Sequence, residues 1–86
     1  MNQNTTAVAD REAVRTFLDA LLRRRNDTNP FGDDESLVLS GRLDSIDVIE
    51  IVAFLESEYD FDFGDRPFTL TVLDSVDRIS TLIASR

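Results

Sequence analysis

The sequence has no cysteine, histidine, tryptophan or lysine, and only three glycines and two prolines among its 86 residues. The lack of cysteine excludes a disulfide framework, a thiolate nucleophile and a zinc knuckle. Without histidine, the commonest general base and the commonest metal ligand are missing too. Carboxylates remain for acid–base work, but a two-carboxylate site needs a cleft, and a chain of 86 residues has little room for one. The sequence therefore does not read as an enzyme. Long apolar runs are also absent, and the start, Met1-Asn2-Gln3-Asn4-Thr5-Thr6, has neither a basic nor an apolar region. No membrane span and no secretory signal are expected, which leaves the cytoplasm as the default location.

What is present describes one small soluble domain. Hydrophobic residues make up 42% and charged residues 30%, a balance that fits a globular fold and not a disordered tail. So short a chain buries a smaller share of its surface than a larger domain, so its stability margin should be thin. Residues 1–6 are expected to be disordered, with residues 7–86 forming the domain. The net charge is −8, which repels nucleic acid. Its distribution is uneven. Residues 1–25 hold three acids against five arginines, whereas Leu43 to Asp65 hold eight acids and no basic residue. Such a negative field suits steering toward basic protein partners. A face kept acidic for solubility explains the same pattern. All nine basic residues are arginine, which carries no information about function.

The apolar spacing predicts helices. Val14, Phe17, Leu18, Leu21 and Leu22 form one stripe of a first helix running from about Ala7 to Arg25. Arg23, Arg24 and Arg25 sit in its last turn, where positive charge complements the helix dipole. The run Asn26-Asp27-Thr28-Asn29-Pro30 then stops it. A long, mobile loop follows, pinned to the core by Leu37, Val38 and Leu39. The second helix is expected from Asp44 or Ser45 to about Glu58, with Val48, Ile51, Val52 and Leu55 inward. Tyr59-Asp60-Phe61-Asp62-Phe63 alternates with the period of a strand, but only Leu37–Leu39 could pair with it. It reads as an extended loop whose aromatics cover one end of the bundle. A short helical turn is expected over Pro67–Thr71, and a last helix from near Asp74 to Ser85 with Val76, Ile79, Leu82 and Ile83 inward. The expected fold is all-α, a three- to four-helix bundle with a long loop between helices 1 and 2.

One segment is more specific. Gly41-Arg42-Leu43-Asp44-Ser45-Ile46-Asp47 is a good helix start, with Asp44 able to cap the first turn and Asp47 in the reciprocal position of a capping box. Leu73-Asp74-Ser75-Val76-Asp77 repeats it almost letter for letter, so at least one copy is an ordinary cap. Context separates them. Ser45 opens a full helix on which Ile46, Ile49, Glu50, Ala53 and Glu56 share a second face, apolar in the middle and acidic at its edge. A partner can anchor on Ile46 and Ile49 while its cations meet Asp47, Glu50 and Glu56. Ser75 has only eleven residues after it, with Arg78 and Arg86 and no comparable acidic margin. Following Gly41 and a mobile loop, the Ser45 hydroxyl is expected to be exposed, and Ser75 is the decoy.

These residues resemble the acyl carrier protein family, which includes peptidyl and aminoacyl carriers. That family carries Asp-Ser-Leu at the start of its second helix and an acidic, hydrophobic helix ending in Glu-x-Glu-Phe. Here stand Asp44-Ser45-Ile46 and Glu56-Ser57-Glu58-Tyr59, and the resemblance spans residues 35–85, with residues 7–25 as a matching first helix. It implies that a phosphopantetheinyl transferase attaches 4′-phosphopantetheine from coenzyme A to Ser45, with Asp44 beside it in the attachment motif. It further implies that a loading ligase and downstream acyltransferases or synthases exchange acyl or aminoacyl thioesters on the group. The protein would be a monomer that binds neither nucleic acid nor membrane, with the chemistry in the cofactor and the partners. A phosphodiester anion at a helix N-terminus would sit against free amides and the positive end of the dipole. Fatty-acid, polyketide, peptidyl and aminoacyl cargoes all remain open. The short acidic approach and the arginine-rich first helix lean toward a stand-alone aminoacyl or D-alanyl-type carrier.

Two other readings compete. Asp60-Phe61-Asp62-Phe63-Gly64-Asp65 fails as a calcium loop, because the positions that need Gly and Glu hold Asp65 and Thr71. An acidic helical adaptor that binds a basic partner without a prosthetic group explains the charge and the apolar face, and treats Ser45 only as part of a cap.

Overall fold

Among the described residues the chain forms three α-helices and one 3-10 turn: α1 spans Gln3–Arg24, α2 spans Ser45–Tyr59, the turn spans Leu70–Leu73 and α3 spans Val76–Ala84. The structure is a computed structural model and describes residues 3–64 and 68–85. The fold is all-α, as expected, with no strand among the described residues. α1 begins at Gln3 and not at Ala7. Met1 and Asn2 lie outside the described residues.

α1 buries Val14, Leu18, Leu21 and Leu22, the i, i+4, i+7, i+8 positions of its stripe, at 1% exposure or less. Its end follows directly from the local sequence. Asn26 takes a left-handed conformation at φ 61°, which asparagine tolerates better than most residues. The Asn26 and Asp27 amides then donate to the carbonyls of Arg23 (3.0 Å) and Leu22 (2.9 Å), the paired bonds of a Schellman motif. α2 contributes Val48, Ile51 and Leu55 to the core, and α3 contributes Val76, Ile79 and Ile83. Leu82, expected inward, is only partly buried. Phe17 of α1 stacks on Phe54 of α2 with ring centroids 4.3 Å apart. α3 packs mainly against α1.

The segment after α2 is an aromatic cover, not a strand. Asp60 ends α2 in a left-handed conformation at φ 58°, and its amide donates back to the Leu55 carbonyl. Phe61 is buried and stacks on Phe63 at 5.3 Å, and Phe68 meets Phe63 edge-on at 4.9 Å. The short turn expected over Pro67–Thr71 lies at Leu70–Leu73, and Pro67 falls outside the described residues.

The connection from α1 to α2 was expected to be mobile, but it is tied down along its length. Arg42 is the hub. Its guanidinium donates to both Asp27 carboxylate oxygens (3.0 and 3.1 Å), to Glu35 Oε2 (2.6 Å) and to the Asn29 carbonyl (2.9 Å). Arg15 donates to Asp33 (2.7 Å) and to the Phe31 carbonyl (2.5 Å), and lies 4.4 Å from the centre of the Phe31 ring. Arg11 bridges Asp33 and Asp77, joining α1, the loop and α3. The arginines of α1 are thus largely used within the molecule. Leu37 anchors the loop at 1% exposure, but Leu39, also expected to pin it, is 60% exposed. The Asp74 carboxylate explains that orientation. It accepts the amides of Val38 (2.9 Å) and Leu39 (2.8 Å), so the chain is held there by its backbone. Gly41, at φ +88°, then turns the loop into α2 through a conformation that side-chain-bearing residues rarely adopt.

Candidate functional site

The two copies of Leu-Asp-Ser-φ-Asp both start helices, but one residue out of step with each other. At α2 the N-cap is Asp44, which makes Ser45 the first helical residue. At α3 the N-cap is Ser75, and the helix proper begins at Val76. The offset decides what each serine does. Ser75 folds back so that its Oγ accepts the Arg78 amide at 3.1 Å, and it is 5% exposed. Ser45 is exposed, and its hydroxyl makes no hydrogen bond among the described residues. Nearly the same five letters therefore give one structural serine and one presented to solvent. The cause lies in the aspartates. Asp74 is committed to the Val38 and Leu39 amides, so capping of α3 passes to Ser75.

Around Ser45 the helix start is a closed electrostatic unit. Asp44 Oδ1 accepts the amides of Ile46 (3.0 Å) and Asp47 (3.1 Å), and Asp47 Oδ2 accepts the Asp44 amide (3.0 Å) in return. This is the complete capping box that the spacing predicts. Arg25, one residue beyond α1, closes it. Its Nη1 lies 2.8 Å from Asp44 Oδ2 and 3.0 Å from Asp47 Oδ2. The Arg25 guanidinium, and after it the Asp47 amide, hold the Asp44 carboxyl at a pKa of about 2. The Asp44 side chain in turn raises the pKa of Arg25.

Two expectations are corrected by this geometry. Asp47 was placed on the acidic edge of the docking face, but it is 5% exposed, because the capping box and Arg25 turn it inward. Of the amides expected to receive an anion at the start of α2, those of Ile46 and Asp47 are already held by Asp44 Oδ1.

The other face residues lie where the spacing puts them. Ile46 and Ile49 are 64% and 67% exposed, more than any other large hydrophobic residue described. Ala53 and Glu56 are exposed with them. Glu50 is half-buried and lies 3.7 Å from Arg24, and Glu56 Oε2 accepts the Phe63 amide at 3.3 Å, so part of the acidic margin is used within the molecule. Sequence reasoning missed Arg25. The only local signal was a basic residue just past the end of a helix, and nothing in it pointed to partners 19 and 22 residues away.

No helix among the described residues is long and apolar enough to cross a membrane. Nor does any group of three or more acids among them form a candidate metal cage. The chain matches no family model, no curated protein and no solved structure.

Proposed function

We propose that this protein is a cytoplasmic carrier, not itself an enzyme, whose Ser45 is the attachment point for 4′-phosphopantetheine. The observation that carries this reading is the contrast between two nearly identical motifs: Ser75 is buried in a cap, whereas Ser45 is exposed with its hydroxyl uncommitted. A serine at the first helical position of a capped start is accessible to a transferase on a backbone fixed by the capping box. The residues fit the group in a second respect. Arg25 offsets one of the two carboxylates flanking Ser45, which lowers the electrostatic cost of an added phosphodiester anion.

When bound, the group supplies a terminal thiol on which acyl or aminoacyl cargo is carried as a thioester. The chain's own part is to present and to be recognised. In the attachment, the Ser45 oxygen bonds to the phosphorus of coenzyme A's phosphopantetheine, the adenosine bisphosphate portion leaves, and the serine proton passes to a base. This chain has neither His nor Cys, and the carboxylates beside Ser45 are committed as caps and ion pairs, so the transferase supplies that base. Ile46, Ile49 and Ala53 form the apolar centre of the docking face, with Glu50 and Glu56 at its margin. Transient carriers gain from such a surface, because charge speeds encounter while modest burial allows release. The same face serves the transferase, the loading ligase and the downstream acyltransferase or synthase in turn, with the protein acting as a monomer.

Incubation with coenzyme A and a broad-specificity phosphopantetheinyl transferase, read by intact mass, tests this reading. Gain of one phosphopantetheine group supports it. No gain in the wild type favours an acidic adaptor that uses the same face without a prosthetic group.

A further inference from the structure

We infer that Arg25 is the positioning counter-ion of the modified Ser45, keeping the Asp44–Asp47 capping box intact while its unused N–H groups receive the phosphodiester. This rests on the carrier reading and adds a residue from outside the attachment motif, on a different helix.

Three observations lead to it. First, a phosphodiester on Ser45 adds negative charge beside two carboxylates, those of Asp44 and Asp47, already held 2.8 and 3.0 Å from a single guanidinium nitrogen. Second, of the first-turn amides that usually receive an anion at a helix start, those of Ile46 and Asp47 are taken by Asp44 Oδ1. The cationic side chain paired at this helix start is Arg25. Third, both Arg25 ion pairs use Nη1, and its Nε and Nη2 make no hydrogen bond among the described residues. A guanidinium is a planar fork of five donors that can serve several oxygens at once, and Arg25, at 35% side-chain exposure, has an open edge. The arginines paired elsewhere are less suited. Arg11 and Arg15 serve Asp33, Arg23 serves Asp19, Arg24 lies at Glu50 and Arg42 serves Asp27 and Glu35.

A purely structural Arg25 would contribute equally to the unmodified and the modified protein. A counter-ion to the phosphodiester would matter more after modification. The experiment is a cycle of four melting temperatures: wild type and Arg25→Gln, each before and after modification at low salt, with the phosphorus NMR signal of both modified forms. In the wild type, modification is expected to change Tm little. In Arg25→Gln it is expected to lower Tm further, by on the order of 5 °C, and to move the phosphorus resonance. The extra loss should shrink in high salt. Arg25→Lys, which keeps the charge but lacks the fork, should fall between the two and provides the comparison if Arg25→Gln folds poorly. Equal Tm changes on modification in the wild type and both variants, with an unmoved phosphorus resonance, overturn this inference alone. Failure of the wild type to be modified overturns the carrier reading and this inference with it.

Discussion

Asp44 and Asp74 occupy the same position of two nearly identical pentapeptides, yet their carboxylates face opposite tasks. Asp44 caps its own helix through the Ile46 and Asp47 amides. Asp74 reaches back to the Val38 and Leu39 amides, 36 and 35 residues earlier in the chain. That difference moves the start of the helix by one residue and converts a buried serine into an exposed one. Burial alone would raise the Asp74 pKa, but the Leu39 amide, the Ser36 hydroxyl and the Val38 amide outweigh it and hold it below the usual range. Asp74 therefore stays charged in its tie to the loop.

The two serines should separate in stability as sharply as in function. Ser75→Ala removes the N-cap acceptor of α3 and is expected to cost about 1 kcal/mol, within a range of roughly 0.5–2. Ser45→Ala removes a solvent-facing hydroxyl and should stay within about 0.5 kcal/mol of wild type. Urea unfolding of the two variants checks this, and an equal cost for both would mean that the serines are not in different registers.

Acid should loosen the helix starts and the loop. The Asp44 carboxyl is held at about 2 by Arg25, below the ordinary aspartate value of about 3.9. A depressed pKa contributes stability that is present above the unfolded value and lost as pH falls through the folded one. Arg42 lowers Asp27 and Glu35 in the same sense. Neutralising the −8 net charge acts the other way, by relieving repulsion, so the clean comparison is with a variant. Asn caps about as well as Asp, so Asp44→Asn keeps the cap and removes the ion pair. The stability gap between wild type and Asp44→Asn should be full above about pH 4 and close as pH falls toward about 2. A gap that does not change between pH 6 and pH 2 would show that Arg25 does not stabilise the Asp44 charge.

The docking face should affect encounter without affecting folding. Ile49 is 67% exposed, and alanine is the better helix former, so Ile49→Ala should leave stability within about 0.5 kcal/mol of wild type. Its KM as a substrate of the transferase should rise several-fold, with kcat less affected. An unchanged KM would place the docking surface elsewhere.

Local chemistry made much of this legible in the sequence. The capping box needs only Asp44 and Asp47 three residues apart, and the stripe Val14, Leu18, Leu21, Leu22 reports the core face of α1 directly. Reading the second motif as a cap was possible because no second face with a comparable acidic margin follows Ser75. What stayed hidden depends on residues far apart in the chain. Arg25 reaches Asp44 and Asp47, and Arg42 reaches Asp27, across 15–22 residues of loop, so the loop read as mobile when it is tied. Asp47 read as an outward acid because spacing alone does not say whether a box residue is turned in. Leu39 read as a core anchor because its apolar side chain gave no hint that Asp74 would hold its amide instead. Tyr59–Phe63 kept the alternation of a strand, but Tyr59 closes α2 and Asp60 turns left-handed, so the pattern is broken at its first step.

The most direct test of the attachment site is peptide-level mass spectrometry on wild type, Ser45→Ala and Ser75→Ala after treatment with coenzyme A and a broad-specificity transferase. One phosphopantetheine group on the peptide containing Ser45 is expected in wild type and Ser75→Ala, with none in Ser45→Ala. A group found on Ser75, or a wild type that takes up none, would contradict it.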